Sequence, residues 1–186
     1  AGSEHNLDGL DQERLTFVKG NICDESLVDK LVGENDAVVH FAAESHNDNS
    51  LHTPWPFVET NVVGTFRILE AVRKHQKRLH HISTDEVYGS INSGSWNEES
   101  PIEPNSPYSA SKASADLFTR AYAKTHGVNV LTTRCSNNYG PRQHSEKFIP
   151  TVIRKAKANE PIPVYGTGQN VRDWLFVDDH CDAILT

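Results

Sequence analysis

Leu79-His80-His81-Ile82-Ser83-Thr84-Asp85-Glu86-Val87-Tyr88-Gly89 decides the fold. Its first residues, 79–83, read as a buried strand, so a hydroxyl and two carboxylates stand where a parallel strand ends and its loop begins. Upstream, residues 56–75 predict a helix, with Val62, Phe66, Leu69 and Val72 at helical spacing. Downstream, 92–106 is rich in Ser, Asn, Glu and Pro and predicts a loop. Pro107 suits the first turn of a helix running to about His126, Gly127 breaks it, and 128–135 predicts another strand.

The same alternation extends toward the N-terminus. Residues 15–19 and 37–43 predict strands, and 24–32 a helix with Asp24 or Ser26 as its N-cap. Strands alternating with helices predict an α/β protein, a doubly wound parallel sheet of Rossmann type covered on both faces. After Cys135 the character changes. Residues 137–141 are turn-like, 147–159 predict a helix, and 162–176 predict short strands around a turn at Gly166–Gly168. We read 1–145 as part of a dinucleotide-binding domain and 146–186 as the start of a smaller substrate-binding region.

The chain has 186 residues, enough for one domain with a substantial core. Its net charge of -7 and its lack of a long Lys/Arg run give no case for nucleic acid. No stretch approaches the ~20 apolar residues of a membrane span. Cys23, Cys135 and Cys181 are odd in number and widely spaced, which predicts reduced thiols in a cytoplasmic protein. The chain begins with Ala1, has no methionine and ends in a predicted helix, so it reads as an internal piece of a longer protein.

Two groups carry chemistry. Tyr108 and Lys112 lie one helical turn apart on one face. A phenol titrates near about 10, and a lysine cation beside it favours the ionised form, which is a base. Asp85-Glu86 adds an acid and a second base. Each group has a plainer reading, a solvated acidic turn for Asp85-Glu86 and an amphipathic pair for Tyr108 and Lys112. His80-His81 and Asp178-Asp179-His180 suggest a metal, but adjacent strand residues point to opposite faces, and no metal is expected. Cys135 ends an apolar strand with no evident base, and a structural thiol fits it better than a nucleophile. An open parallel sheet also invites a dinucleotide, whose fingerprint is GxGxxG. Gly166-Thr167-Gly168-Gln169-Asn170-Val171 lacks the third glycine and predicts a turn, so a phosphate loop would lie upstream of Ala1.

Thr84-Asp85-Glu86-Val87-Tyr88-Gly89, Tyr108-xxx-Lys112 and Asn137-Asn138-Tyr139-Gly140-Pro141 together resemble the dTDP-glucose 4,6-dehydratases, a family of extended short-chain dehydrogenases/reductases. The likeness also covers His40-Phe41-Ala42-Ala43-Glu44-Ser45-His46, Glu59-Thr60-Asn61, Glu146-Lys147-Phe148-Ile149-Pro150 and Val171-Arg172-Asp173-Trp174. YxxxK alone is a weak pattern; the combination is specific. The resemblance implies an NAD-dependent dehydration of dTDP-glucose to dTDP-4-keto-6-deoxyglucose. Tyr108, held as phenolate by Lys112, would take the 4-hydroxyl proton, with Thr84 hydrogen-bonded to that hydroxyl. Glu86 would remove the C5 proton and Asp85 would protonate the departing 6-hydroxyl.

The resemblance further implies cofactor contacts at Asn21, Ile22, Phe41, Ala42, Ala43, Ser45, Thr60, Tyr108, Lys112 and Asn138. Substrate contacts would fall at Ser45, Thr84, Asn137, Glu146, Lys147, Pro163, Val164, Tyr165 and Arg172. A homodimer would form through the helices at 56–75 and 107–126. Departures are Asn21 where the family usually has Asp, His46-Asn47-Asp48-Asn49 for a common His-Val-Asp-Arg, and Arg142 for an aromatic. The first strand and glycine-rich loop, and much of a C-terminal substrate domain, are absent from these 186 residues. On this reading the stretch alone does not turn over substrate. A 4-epimerase, a GDP-mannose dehydratase and a catalytically silent fragment are the alternatives. An epimerase has no use for the Asp85-Glu86 pair.

Overall fold

The computed structural model describes residues 2–186. The described residues form two compact units, Lys19–Cys135 and a second composed of residues 2–18 with Ser136–Thr186.

In the first unit, α1 (Glu25–Gly33) precedes β1 (Ala37–His40), and α2 is Asn47–His52. Asp24 caps α1 by accepting the Leu27 amide. The predicted helix at 56–75 is three pieces end to end: α3 (Trp55–Phe57), a π-helical stretch (Val58–Gly64) and α4 (Thr65–His75). Next come β2 (Arg78–Thr84), a 3-10 turn (Asp85–Tyr88), α5 (Pro107–His126) and β3 (Asn129–Cys135). Ser106 and Ser109 close a capping box at the start of α5. Gly127 ends it with a left-handed φ of 66°, a conformation that side chains resist.

The three strands are parallel in the order β1-β2-β3. Register places Val38, Leu79 and Val130 in one row. That row joins the core formed with Val28 and Val32 of α1, Ile68, Leu69, Ala71 and Val72 of α4, and Tyr122 of α5. The next row, Val39, His80 and Leu131, points to the opposite face, because strand side chains alternate. There Val39 and Leu131 are exposed. On the same face His80 and Ile82 are buried.

Residues 15–19 belong to no strand. A strand exists through its ladder, and none of the three strands of the sheet hydrogen-bonds this segment. Phe17 and Val18 are accordingly exposed.

The second unit holds β4 (Asn137–Tyr139), α6 (Phe148–Lys157), β5 (Trp174–Phe176) and α7 (Val177–Leu185). β4 and β5 pair in parallel, so residues 137–139, predicted as turn, form a short strand. Tyr139 meets Phe176 at a tilt and Phe148 stacks near Trp174, at 5.5 and 6.1 Å between ring centres. Arg142 donates to the carbonyls of Asn6 and Asp8, tying the N-terminal segment to the loop after β4. Of the strands predicted over 162–176 only 174–176 forms; 162–173 finds no ladder.

Candidate active site

The site stands at the carboxyl end of β2, where ligands bind open parallel sheets. Thr84, the last residue of β2, caps the 3-10 turn by accepting the Glu86 amide at 3.3 Å. Its hydroxyl also donates to Asp85 Oδ1 at 3.3 Å. The turn leaves both carboxylates half-buried while Val87 and Tyr88 pack inward. Gly89 closes it at φ 85°, where any side chain would run into the Glu103 carbonyl.

α5 runs antiparallel to β2, and its buried face descends the strand turn by turn. Tyr108 is hydrogen-bonded to Thr84 and lies close enough to Glu86 and Asp85 to feel both charges. One turn on, the Lys112 ammonium donates to Ile82 O at 2.8 Å. A further turn brings Asp116, which accepts from Arg134 Nε at 2.8 Å. The Asp116 carboxylate also lies 3.2 Å from His81 Nε2, an attraction without hydrogen-bond alignment. Arg134 continues to the Tyr88 hydroxyl at 2.8 Å and lies over its ring.

The Tyr108 phenol differs from expectation. Burial foremost, and then the Glu86 charge, push it well above its ordinary value, with smaller upward contributions from Cys135 and Asp85. Only the Thr84 hydrogen bond opposes them. The expected lowering by Lys112 does not occur, since its ammonium is turned to the strand carbonyl. Burial pulls Lys112 down, and Asp116 and then Cys135 act to keep it charged. For Asp116, burial works upward but His81, Arg134 and Ser83 outweigh it, so its carboxyl lies below the usual range. His40 and His81, paired across β1 and β2, are held neutral chiefly by burial, His40 down to about 3.

The loop after β1 carries Phe41, Ala42, Ala43 and Ser45. Buried Asn61, in the π-helical stretch, fixes its course: it accepts the Glu44 amide at 2.8 Å and donates to Glu44 O at 3.0 Å and Ser111 Oγ at 2.8 Å. Thr60 adjoins it. Cys23 donates to Glu59 O at 3.3 Å, and Ile22 packs against Gly64, so the Asn21-Ile22 turn meets the same stretch. At the loop's end, Asn47 Nδ2 donates to Glu86 Oε2 at 3.0 Å. The structure thus gathers Thr84, Asp85, Glu86, Tyr108 and Lys112 with the elements that carry Ile22, Thr60 and residues 41–47.

The remaining expected residues lie in the second unit. Asn137 and Asn138 are on β4, and Asn138 Nδ2 donates to Ser136 O at 2.9 Å. Lys147 occupies the N-cap position of α6, and Glu146 lies 3.5 Å from His144. Pro163, Val164, Tyr165 and Arg172 are exposed. Sequence reasoning did not single out Asn47, Asn61, His40 or Asp116 as site residues. Only Asp116 carried a signal: it repeats the Tyr108-Lys112 spacing once more along one helix face. His80 and His81 do point apart, His80 bonding Thr133 at 3.0 Å. Among the described residues no three His, Cys, Asp or Glu side chains gather as a metal site.

Fold and site together define a Rossmann-like short-chain dehydrogenase/reductase unit. The chain belongs to the family described as GDP-mannose 4,6 dehydratase, whose sequence profile matches residues 2–186. It is 53% identical to a dTDP-glucose 4,6-dehydratase from Mycolicibacterium smegmatis, over 99% of this chain and 56% of that protein. It therefore spans just over half the length of such relatives. Among solved structures, DesIV, a dTDP-glucose 4,6-dehydratase from Streptomyces venezuelae with NAD and TYD bound, is 52% identical with a TM-score of 0.97, covering 99% of this chain and 58% of that one. A UDP-glucuronic acid 4-epimerase from Bacillus cereus with NAD and UDP-glucuronic acid bound shares the fold at 28% identity and TM-score 0.91, over 97% of this chain and 58% of that one.

Proposed function

We propose that this chain carries the catalytic groups of an NAD-dependent dTDP-glucose 4,6-dehydratase, a nucleotide-sugar lyase. The observation that carries the reading is the convergence of buried Tyr108 on Thr84, Asp85 and Glu86 at the end of β2. A phenol and two carboxylates converging there suit a sequence of proton transfers on adjacent carbons, each worth about 10²–10⁴-fold. The residues also fit the cofactor. Lys112 spends one of its three N–H groups on Ile82 O, and two remain for hydroxyl acceptors such as a ribose diol. Phe41, Ala42, Ala43, Ser45 and Thr60 line the loop and stretch beside it, and Asn21, Ile22 and Asn138 are the further contacts we propose.

When bound, NAD would supply the hydride acceptor for C4 as NAD+, the donor for C6 once reduced to NADH, and in its oxidised form a pyridinium charge that favours the tyrosinate. Tyr108 accepts the 4-hydroxyl proton, with Thr84 steering that hydroxyl. The ketone at C4 acidifies C5, Glu86 takes the C5 proton, and protonated Asp85 delivers one to the leaving 6-hydroxyl. Ser45, Asn137, Glu146, Lys147, Pro163, Val164, Tyr165 and Arg172 are proposed to hold the nucleotide sugar. Lys147 and Arg172 have the charge a diphosphate needs.

We further propose a homodimer through the faces around 56–75 and 107–126, where Val63, Leu117 and Phe118 are exposed apolar residues. A cytoplasmic location accords with three free cysteines. No helix among the described residues is long and apolar enough to cross a membrane.

The test follows C5. In deuterated water with NAD+ and dTDP-glucose, active protein should place deuterium at C5 of the product, and Glu86→Gln should abolish the incorporation. An unimpaired Glu86→Gln protein would overturn the role of Glu86. Turnover of GDP-mannose in place of dTDP-glucose, or epimerisation at C4 without loss of water, would replace the substrate or the reaction.

A further inference from the structure

Asp85 and Glu86 are neighbours in one turn, and elimination needs one of them ionised and the other protonated. Like charges this close raise one another's proton affinity but do not decide which carboxyl keeps its proton. A hydrogen-bond donor held against one carboxyl biases that decision toward its ionised form. Asp85 receives the Thr84 hydroxyl at 3.3 Å, a long contact from a neutral donor that also accepts the Glu86 amide. Glu86 receives the Asn47 amide at 3.0 Å, the shorter of the two contacts. Asn47 offers Glu86 an N–H, which an ionised oxygen accepts well and a protonated hydroxyl poorly.

The donor is also held in place. Asn47 is the first residue of α2, His46 Nδ1 accepts the Asn49 amide at 3.3 Å to cap that turn, and fully buried Ser50 donates to Asn47 O at 2.6 Å. The Glu44–Asn61 bonds fix the loop three residues earlier. The amide therefore reaches Glu86 from a backbone anchored on both sides.

We propose that Asn47 is a positioning residue that selects Glu86 as the ionised member of the Asp85–Glu86 pair and fixes the carboxylate that it bonds. This rests on the proposed function only for what the ionised carboxylate does; the selection itself is a property of the protein without ligands. Among the titratable groups near Glu86 are Asp85 and the Tyr108 phenol from α5. Burial keeps that phenol neutral, so it adds no charge that would discriminate between the two carboxyls.

Carbon-13 NMR of the side-chain carboxyls, followed from pH 3 to 8 and assigned with Glu86→Gln and Asp85→Asn, reads the selection directly. In the wild type Glu86 should titrate below Asp85. Asn47→Leu keeps the bulk and removes the donor, and should raise the Glu86 midpoint by about one pH unit, a tenfold gain in proton affinity. Asn47→Asp keeps the shape, sets a third carboxylate beside Glu86 and should raise it further. A purely structural Asn47 would lower the melting temperature and leave that midpoint in place. Wild-type Glu86 titrating above Asp85, or a midpoint unmoved in either folded variant, would overturn the proposal. Turnover is not needed for the measurement, so a failed C5-exchange test would refute the function and leave the selection standing.

Discussion

His40 sets an acid limit on the fold that follows from its surroundings. The side chain is 3% exposed on β1, its ring 5.4 Å from that of His81. Thr65 Oγ1 lies 3.0 Å from His40 Nε2 and gives its own single proton to Asn61 O at 2.7 Å. His40 Nε2 must therefore carry hydrogen and donate to Thr65. Protonating Nδ1 as well would create a buried cation near His81 and Lys112; burial first, then those two groups, hold the pKa at about 3. An unfolded imidazole titrates near about 6.5. Between these values the unfolded chain binds a proton that the native chain does not, so stability falls as pH drops, and the loss is complete near pH 3. At about 1.4 kcal/mol per pH unit the loss is about 3 kcal/mol by pH 4.5, against a total stability of order 5–15 kcal/mol. His40→Gln can still donate an N–H to Thr65 but cannot titrate. Urea unfolding at pH 7.5 and 4.5 should show the wild type losing about 3 kcal/mol more than His40→Gln. Equal losses would mean that native His40 takes up its proton as readily as unfolded His40 does, and the reasoning from burial would fail.

Other perturbations separate support from chemistry. Asp116→Asn leaves Arg134 without its carboxylate and should cost about 3 kcal/mol at pH 7, a melting temperature lower by roughly 6–12 °C. Because the Asp116 carboxyl is depressed in the native state, its stabilisation is present above the unfolded value near 4 and is lost as pH falls through the lower native one. The variant's deficit should accordingly shrink in acid, and a deficit constant down to pH 3 would contradict the pairing. Asn61→Ala strips the Glu44 amide and carbonyl of their partners and should cost about 1–3 kcal/mol by urea unfolding, since each hydrogen bond contributes about 0.5–1.5 net. Gly89→Ala forces a side chain into a backbone carbonyl at positive φ and should cost at least about 2 kcal/mol in the same assay.

What the sequence made legible was whatever depends on local period. The helices at 56–75 and 107–126 and the strand at 79–83 stand where their apolar spacing put them. Segments whose state depends on a distant partner were not legible. Residues 15–19 have a strand's composition but no ladder, while Asn137-Asn138-Tyr139, composed like a turn, becomes a strand because Trp174-Leu175-Phe176 lies alongside. Ile162, Val164 and Tyr165 looked strand-like and remain exposed for want of the same partner. At the site, spacing along one helix put Tyr108 and Lys112 on a shared face but did not say where the ammonium would point. The contact from Asn47 to Glu86 joins residues 39 apart, through a loop whose course depends on Asn61. No periodicity records such a contact.

The crossing of α5 over β2 explains why stability and chemistry divide along one helix. Toward its C-terminal end, Tyr122 packs into the apolar cluster with Leu79. Asp116 meets His81 two residues along the strand, Lys112 meets the carbonyl of Ile82, and Tyr108 meets Thr84 at the strand's end. The larger apolar cluster lies at the Tyr122 end, and a smaller one of Val87, Tyr88 and Ala113 lies toward Pro107. Truncating Leu79 or Val72 should lower stability by about 2–5 kcal/mol and leave the carboxyl midpoints at 85 and 86 in place. Removing the Asp116 charge acts on both properties, because that residue is bound to the sheet through Arg134 and lies one turn from Lys112. The apolar cluster around Leu79 and Tyr122 anchors one end of the helix, and at the other end this chain places its phenol beside two hydrogen-bonded carboxylates.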